Sequence, residues 1–137
     1  MMSEQTKIQS EQRRLSVFTK IPWSMLLIAY MVAVHLLGAG MAGATGYVFV
    51  GLCVLVMFVE FFKSADIGAW AFLVDLIGAV GALILATVLM CYLFFKLGQA
   101  PTFFHWLGFA VILGDAVMSP FNAFRTALRN IGLGVSA

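Results

Sequence analysis

The chain has 137 residues, 63% hydrophobic and only 10% charged, with a formal net charge of +2. Soluble domains carry about 25% charged residues, so composition excludes a water-soluble domain and a separate soluble catalytic domain. Cys53 and Cys91 both lie inside apolar runs, which excludes a disulfide framework and a thiolate zinc site.

Residues 1–20, "MMSEQTKIQSEQRRLSVFTK", form a polar and basic segment. Ile8, Leu15, Val17 and Phe18 would let its second half lie on a membrane surface. From Ile21 to Val59 no Asp, Glu, Lys or Arg occurs. A spanning helix needs about 20 apolar residues, so this run is read as two spans, 22–39 and 47–62. The break is "GAGMAGATG", where glycines punctuate the run. Pro22 suits a helix start and Trp23 an interfacial anchor. "AGA" at 42–44 resembles a leader cleavage site, but the polar segment before it is long, so 22–39 is expected to be a mature span.

"EFFKSADIGAW" is the next polar turn, followed by a third span over 68–95. "KLGQAPT" then leads into a fourth span over 103–118. In "VILGDAVMSPFNAFRTALRN", Ser119 reads as a helix cap with Pro120 at the first helical position. Residue 119 precedes a proline, which disfavours helical backbone and predicts a boundary there. An amphipathic helix along the membrane surface would follow over 120–131, within a tail over 119–137. The alternative is a kinked continuation to Arg125. The expected fold is all-α: four transmembrane helices in two hairpins plus this C-terminal interfacial helix.

Lys7, Arg13, Arg14, Lys20, Lys63, Arg125 and Arg129 fall on one side of this arrangement, and Lys96 alone on the other. The positive-inside rule then puts both termini in the cytoplasm of an inner (plasma) membrane protein. Arg125 and Arg129 would meet lipid phosphates. Two arginines are too few for nucleic-acid binding.

Ionisable groups inside a membrane are candidate functional sites. Asp75 and Asp115 fall at a similar depth near the cytoplasmic side, with Glu60 at its entrance. Close carboxylates would share a proton, as a relay or ion site requires. The commoner role is polar glue between helices. His35 and His105 share the opposite end and are candidate ligands for haem b, a metal or a quinone. Interfacial histidines more often reach headgroups or backbone carbonyls, so no cofactor is expected.

Asp75, Gly78, Ala82 and Ala86 share one helix face, a stripe that admits a close-packed helix. Gly38, Gly40 and Gly43 spell G-x-G-x-x-G, but between two spans and without a preceding strand, which predicts a turn. No H-E-x-x-H, G-x-S-x-G or P-loop occurs, so no enzyme is expected. Three functions are weighed. The first is a non-catalytic accessory or structural subunit of a larger membrane complex, whose partners are lipid and other subunits or itself. The second is an oligomeric proton or ion carrier or channel using Asp75 and Asp115. The third is a haem- or quinone-binding subunit using His35 and His105.

Overall fold

The computed structural model describes residues 22–62 and 69–134. The basic segment over 1–20 and the turn over 63–68 lie outside the described residues. Among the described residues the structure is helical, with no strand. The helices are α1 (Ser24–Leu36), α2 (Gly43–Phe62), α3 (Ala69–Cys91) and α4 (Phe103–Gly134); a π-helical turn, Tyr92–Lys96, extends α3.

Three segments are long and apolar enough to cross a membrane: Gly43–Phe62, Phe72–Lys96 and Phe103–Asn122. These spans mark a membrane protein. Only 22% of each is buried inside the fold, so the rest presents apolar side chains outward. Four such helices were expected, but α1 has 13 residues, about 20 Å of helix, and falls short of a span by length alone.

The reason α1 ends before residue 39 is local. Gly38 adopts φ +65°. The Ala39 N–H then donates to the Val34 carbonyl at 3.0 Å, and the Gly38 N–H to the His35 carbonyl at 3.1 Å. This pair of bonds is a Schellman motif, which closes a helix by satisfying its last carbonyls. The glycine segment is indeed a turn. The Thr45 hydroxyl lies 2.7 Å from the Gly40 carbonyl and 2.8 Å from that of Ala42, which folds the turn onto the start of α2. The Tyr30 hydroxyl donates to the Thr45 carbonyl at 2.9 Å and ties α1 to α2.

At its far end α3 widens into the π-helical turn. The Leu97 N–H reaches back five residues to Tyr92, and the Gln99 N–H six residues to Leu93. Gly98, at φ +60°, allows the chain to turn there. Leu93 is thereby buried.

The boundary expected at Ser119-Pro120 is absent. Helix α4 runs without interruption for 32 residues with Pro120 inside it. Proline removes one backbone hydrogen bond, to the carbonyl of Ala116, and disfavours helix. Here the loss falls beside an anchor: the Ser119 hydroxyl donates to Asp75 Oδ2 on α3 at 2.8 Å. Ser119 is therefore a cross-helix donor, not a cap. In place of the separate helix expected from residue 120, α4 continues through it, as the alternative reading of a continued helix had it, and the side chains of Arg125 and Arg129 lie outside the described residues.

Among the described residues, helix α4 packs against all three other helices and α1 does the same, whereas α2 and α3 make no contact. In section the bundle is a diamond whose short diagonal joins α1 and α4. Glycines let the helices close. A Cβ on Gly46 would lie 2.5 Å from the Phe104 ring, one on Gly108 2.5 Å from the Phe49 ring, and one on Gly78 2.7 Å from Pro22. Leu27, Met31, Phe49, Cys53, Val56, Ala82, Ala86 and Ile112 fill the middle.

Phe49 is fully buried and stacks on Tyr30, so it has nowhere to retreat. Gly108→Leu should therefore destabilise the bundle by about 1–3 kcal/mol through overpacking. Gly114 has nothing within 4 Å of a built Cβ. There Gly114→Ala should be neutral or stabilise by up to about 1 kcal/mol through helix propensity. Thermal unfolding of both variants in one detergent checks the contrast.

Candidate functional site

The polar side chains of the described residues gather at the two ends of the bundle, with the apolar core between them. At one end lie Ser24 on α1, Glu60 on α2, Asp75 on α3 and Asp115 and Ser119 on α4. Asp75 and Ser119 are 8% and 6% exposed, so their hydrogen bond is shielded from bulk solvent. The Glu60 carboxylate accepts the Trp23 backbone N–H at 3.3 Å. That N–H belongs to the unsatisfied first turn of α1, so Glu60 acts as its cap from another helix. Ser24 is fully buried, and its Oγ has no hydrogen-bond partner.

Asp75 and Asp115 were expected at one level. The level of Asp75 is instead that of Ser119. Asp115 stands one turn away on α4, about 6 Å nearer the opposite end, and is half-buried. The two acids are thus on adjacent helices but staggered. Gly78 of the small-residue stripe meets Pro22, Gly81 meets Met25, and Ala82 and Ala86 are buried. The face that carries Asp75 is packed against α1 and α4 within this chain. The Trp23 side chain packs partly on the core.

At the other end the two histidines do meet. The His35 and His105 rings are 5.8 Å apart, centre to centre, and inclined by 33°. His105 is 5% exposed, and Thr102 holds it from the chain's own backbone. The Thr102 N–H donates to His105 Nδ1 at 3.1 Å, and the Thr102 hydroxyl lies 2.8 Å from the same nitrogen. Thr102 precedes the first residue of α4 and His105 is the third residue of the helix. This is the reach-back of a capping box, with imidazole in the place usually taken by Glu or Gln. A backbone N–H can only donate, so Nδ1 accepts and the neutral ring carries its proton on Nε2. His35 Nε2 is buried with no hydrogen-bond partner.

One turn from these histidines along the α1–α4 seam, Phe49 and the Met31 sulfur close on Gly108, at 2.5 and 3.5 Å from a built Cβ. No group of three or more His, Cys, Asp or Glu among the described residues is placed to hold a metal ion.

Sequence reasoning missed Ser119 as the partner of Asp75, because Ser-Pro reads as a helix start. It missed Thr102 too, although T-x-x-H before an apolar run differs from the capping-box pattern only in its last residue. Ser24, Thr45 and Tyr30 carried no signal, since their roles depend on helix rotation.

Replacing Thr102 by Val keeps its shape and removes the hydroxyl. We expect Thr102→Val to lower stability by about 1 kcal/mol, as loss of the hydroxyl's hydrogen bond to His105 does. Hydrogen exchange should quicken at the first turn of α4 and remain unchanged near Ser119; uniform quickening would contradict a local cap. Comparison with models of protein families, with curated proteins and with solved structures gave no match to this chain.

Proposed function

We propose that this chain is a non-catalytic accessory or structural subunit of a larger assembly in an inner (plasma) membrane. The observation that carries the reading is the use made of Asp75. An acid within an apolar helix is costly and invites a transport role. Here it is buried and accepts a hydrogen bond from Ser119 on the next helix, which is the geometry of helix-joining glue. A carrier would need that carboxylate to face a path.

In this reading α1 is the fourth pass. Its first turn is level with Glu60 near the end of α2, and Tyr30 reaches Thr45 near the start of α2. Thus α1 and its flanking turns cover about 22 Å of the same slab that α2 crosses. By chain order, all the basic residues except Lys96 would then belong to the Asp75 side, which supports cytoplasmic termini. The continuation of α4 past Asn122 would carry Arg125 and Arg129 toward phosphate headgroups or a partner.

The corner helices α2 and α3 have outward faces available for lipid or for other subunits. Phe58 and Phe61 on α2 are 64% and 77% exposed, and Ile77 and Ile84 on α3 are similarly open. Extraction from the native host in a mild detergent, followed by identification of the co-purifying chains, tests the proposal. A stable, stoichiometric partner is the expected result. A monodisperse particle made of this chain alone, which conducts protons or ions in liposomes, would overturn it.

A further inference from the structure

The histidine end contains a buried imidazole nitrogen with no hydrogen-bond partner, His35 Nε2, although groups of this kind are normally satisfied. Beside it stands a second imidazole. The donor set widens when sulfur is counted. Met31 lies four residues before His35, on the same face of α1, and is 2% exposed. Its sulfur faces α4 at Gly108, one turn from His105. Two imidazoles, and a thioether one turn along, therefore line the same α1–α4 seam.

The ring separation suits one shared ion. A metal bound to an imidazole nitrogen sits roughly 3.2 Å from the ring centre, so two rings on one ion lie at most about 6.4 Å apart. With one nitrogen of each ring turned to a shared ion, the 5.8 Å separation would correspond to an angle of roughly 130° at the ion, between trigonal and linear. That leaves one side open for a third donor. A bare ion also needs none of the space that a macrocycle demands.

Charge then selects the ion. The nearest acid on α4, Asp115, is ten residues from His105, about 15 Å along the helix. All three donors are neutral, and the surroundings are apolar. The cost of burying an ion grows with the square of its charge, so a monovalent ion is far cheaper here than a divalent one. Thioether and imidazole together favour a soft ion. We propose that His35, His105 and Met31 form a binding site for a soft monovalent cation, copper(I).

Binding through His105 Nε2 moves the ring proton to Nδ1. The Thr102 hydroxyl, 2.8 Å away, is placed to accept it. Metal-bound histidines ordinarily donate their other N–H in this way. The displaced Thr102 N–H turns to solvent from an exposed residue. His35 and His105 are the chain's only two histidines, so imidazole bound to the ion identifies the site.

The test uses the full chain, without a histidine tag, in detergent, with Cys53→Ala and Cys91→Ala to remove the thiols. Copper(I) is titrated anaerobically against bicinchoninate, and X-ray absorption is recorded on the complex. The expected result is one ion per chain, with imidazole nitrogen and one sulfur around the copper. His35→Gln and His105→Gln should each weaken binding at least tenfold, and Met31→Leu several-fold, with unchanged helical circular dichroism. Absence of competitive binding once the cysteines are gone would overturn the site. So would a ligand shell lacking imidazole or sulfur. The absorption readout on the chain with intact histidines stands even where a histidine variant fails to fold.

Discussion

Ser119 donates to Asp75 across the α3–α4 seam, and both residues are buried, which keeps that bond dry. In an apolar solvent an unsatisfied carboxylate is expensive, and so is an unsatisfied hydroxyl. Pairing them removes two costs and joins two helices. The bond also explains how α4 passes through Pro120. The helix forfeits one backbone hydrogen bond there, but the residue before the proline is fixed by its side chain to a neighbouring helix. A surface position would offer no such compensation, and the proline would then act as the stop signal it resembles.

The same economy of polar groups shapes both ends of the bundle. Glu60 caps α1 from the end of α2, and His105 caps α4 from within it. Tyr30 spends its hydroxyl on a carbonyl of the α2 start. Between these layers the helices meet through glycine and alanine, so the α1–α4 diagonal is short enough to bring His35 and His105 into ring contact. Function is consequently sought at the ends, where polar atoms meet, and not in the middle, where Phe49 and its neighbours fill the space.

The apolar spans and most helix limits were legible in the sequence, because apolar run length and glycine punctuation are one-dimensional signals. The turn after α1, the start of α4 at Phe103 and the long third helix follow from them. The end of α1 was misplaced by three residues because a Schellman motif at Gly38 is a backbone conformation, invisible until φ is known. The misreading at Ser119-Pro120 has a different origin. Local preference pointed to a cap and a break, and a contact 44 residues away in sequence overrode it. The levels of Asp75 and Asp115 were off by one turn for the same reason. Pairing the histidines by depth succeeded, but the role of His105 as a cap depends on a rotamer that no spacing rule gives.

The claim on which the account turns is that Asp75 joins helices. A double-mutant cycle on Asp75 and Ser119 measures it, using Asp75→Ala, Ser119→Ala and the double variant unfolded by sodium dodecyl sulfate in mixed micelles. Inter-helix hydrogen bonds in membrane proteins couple by about 0.6 kcal/mol on average and up to about 1.7. Because this bond is buried and involves a carboxyl group, we expect a coupling near the upper part of that range, about 1 kcal/mol or more. Strictly additive single-variant effects would mean that the two side chains do not act together, and would contradict the account.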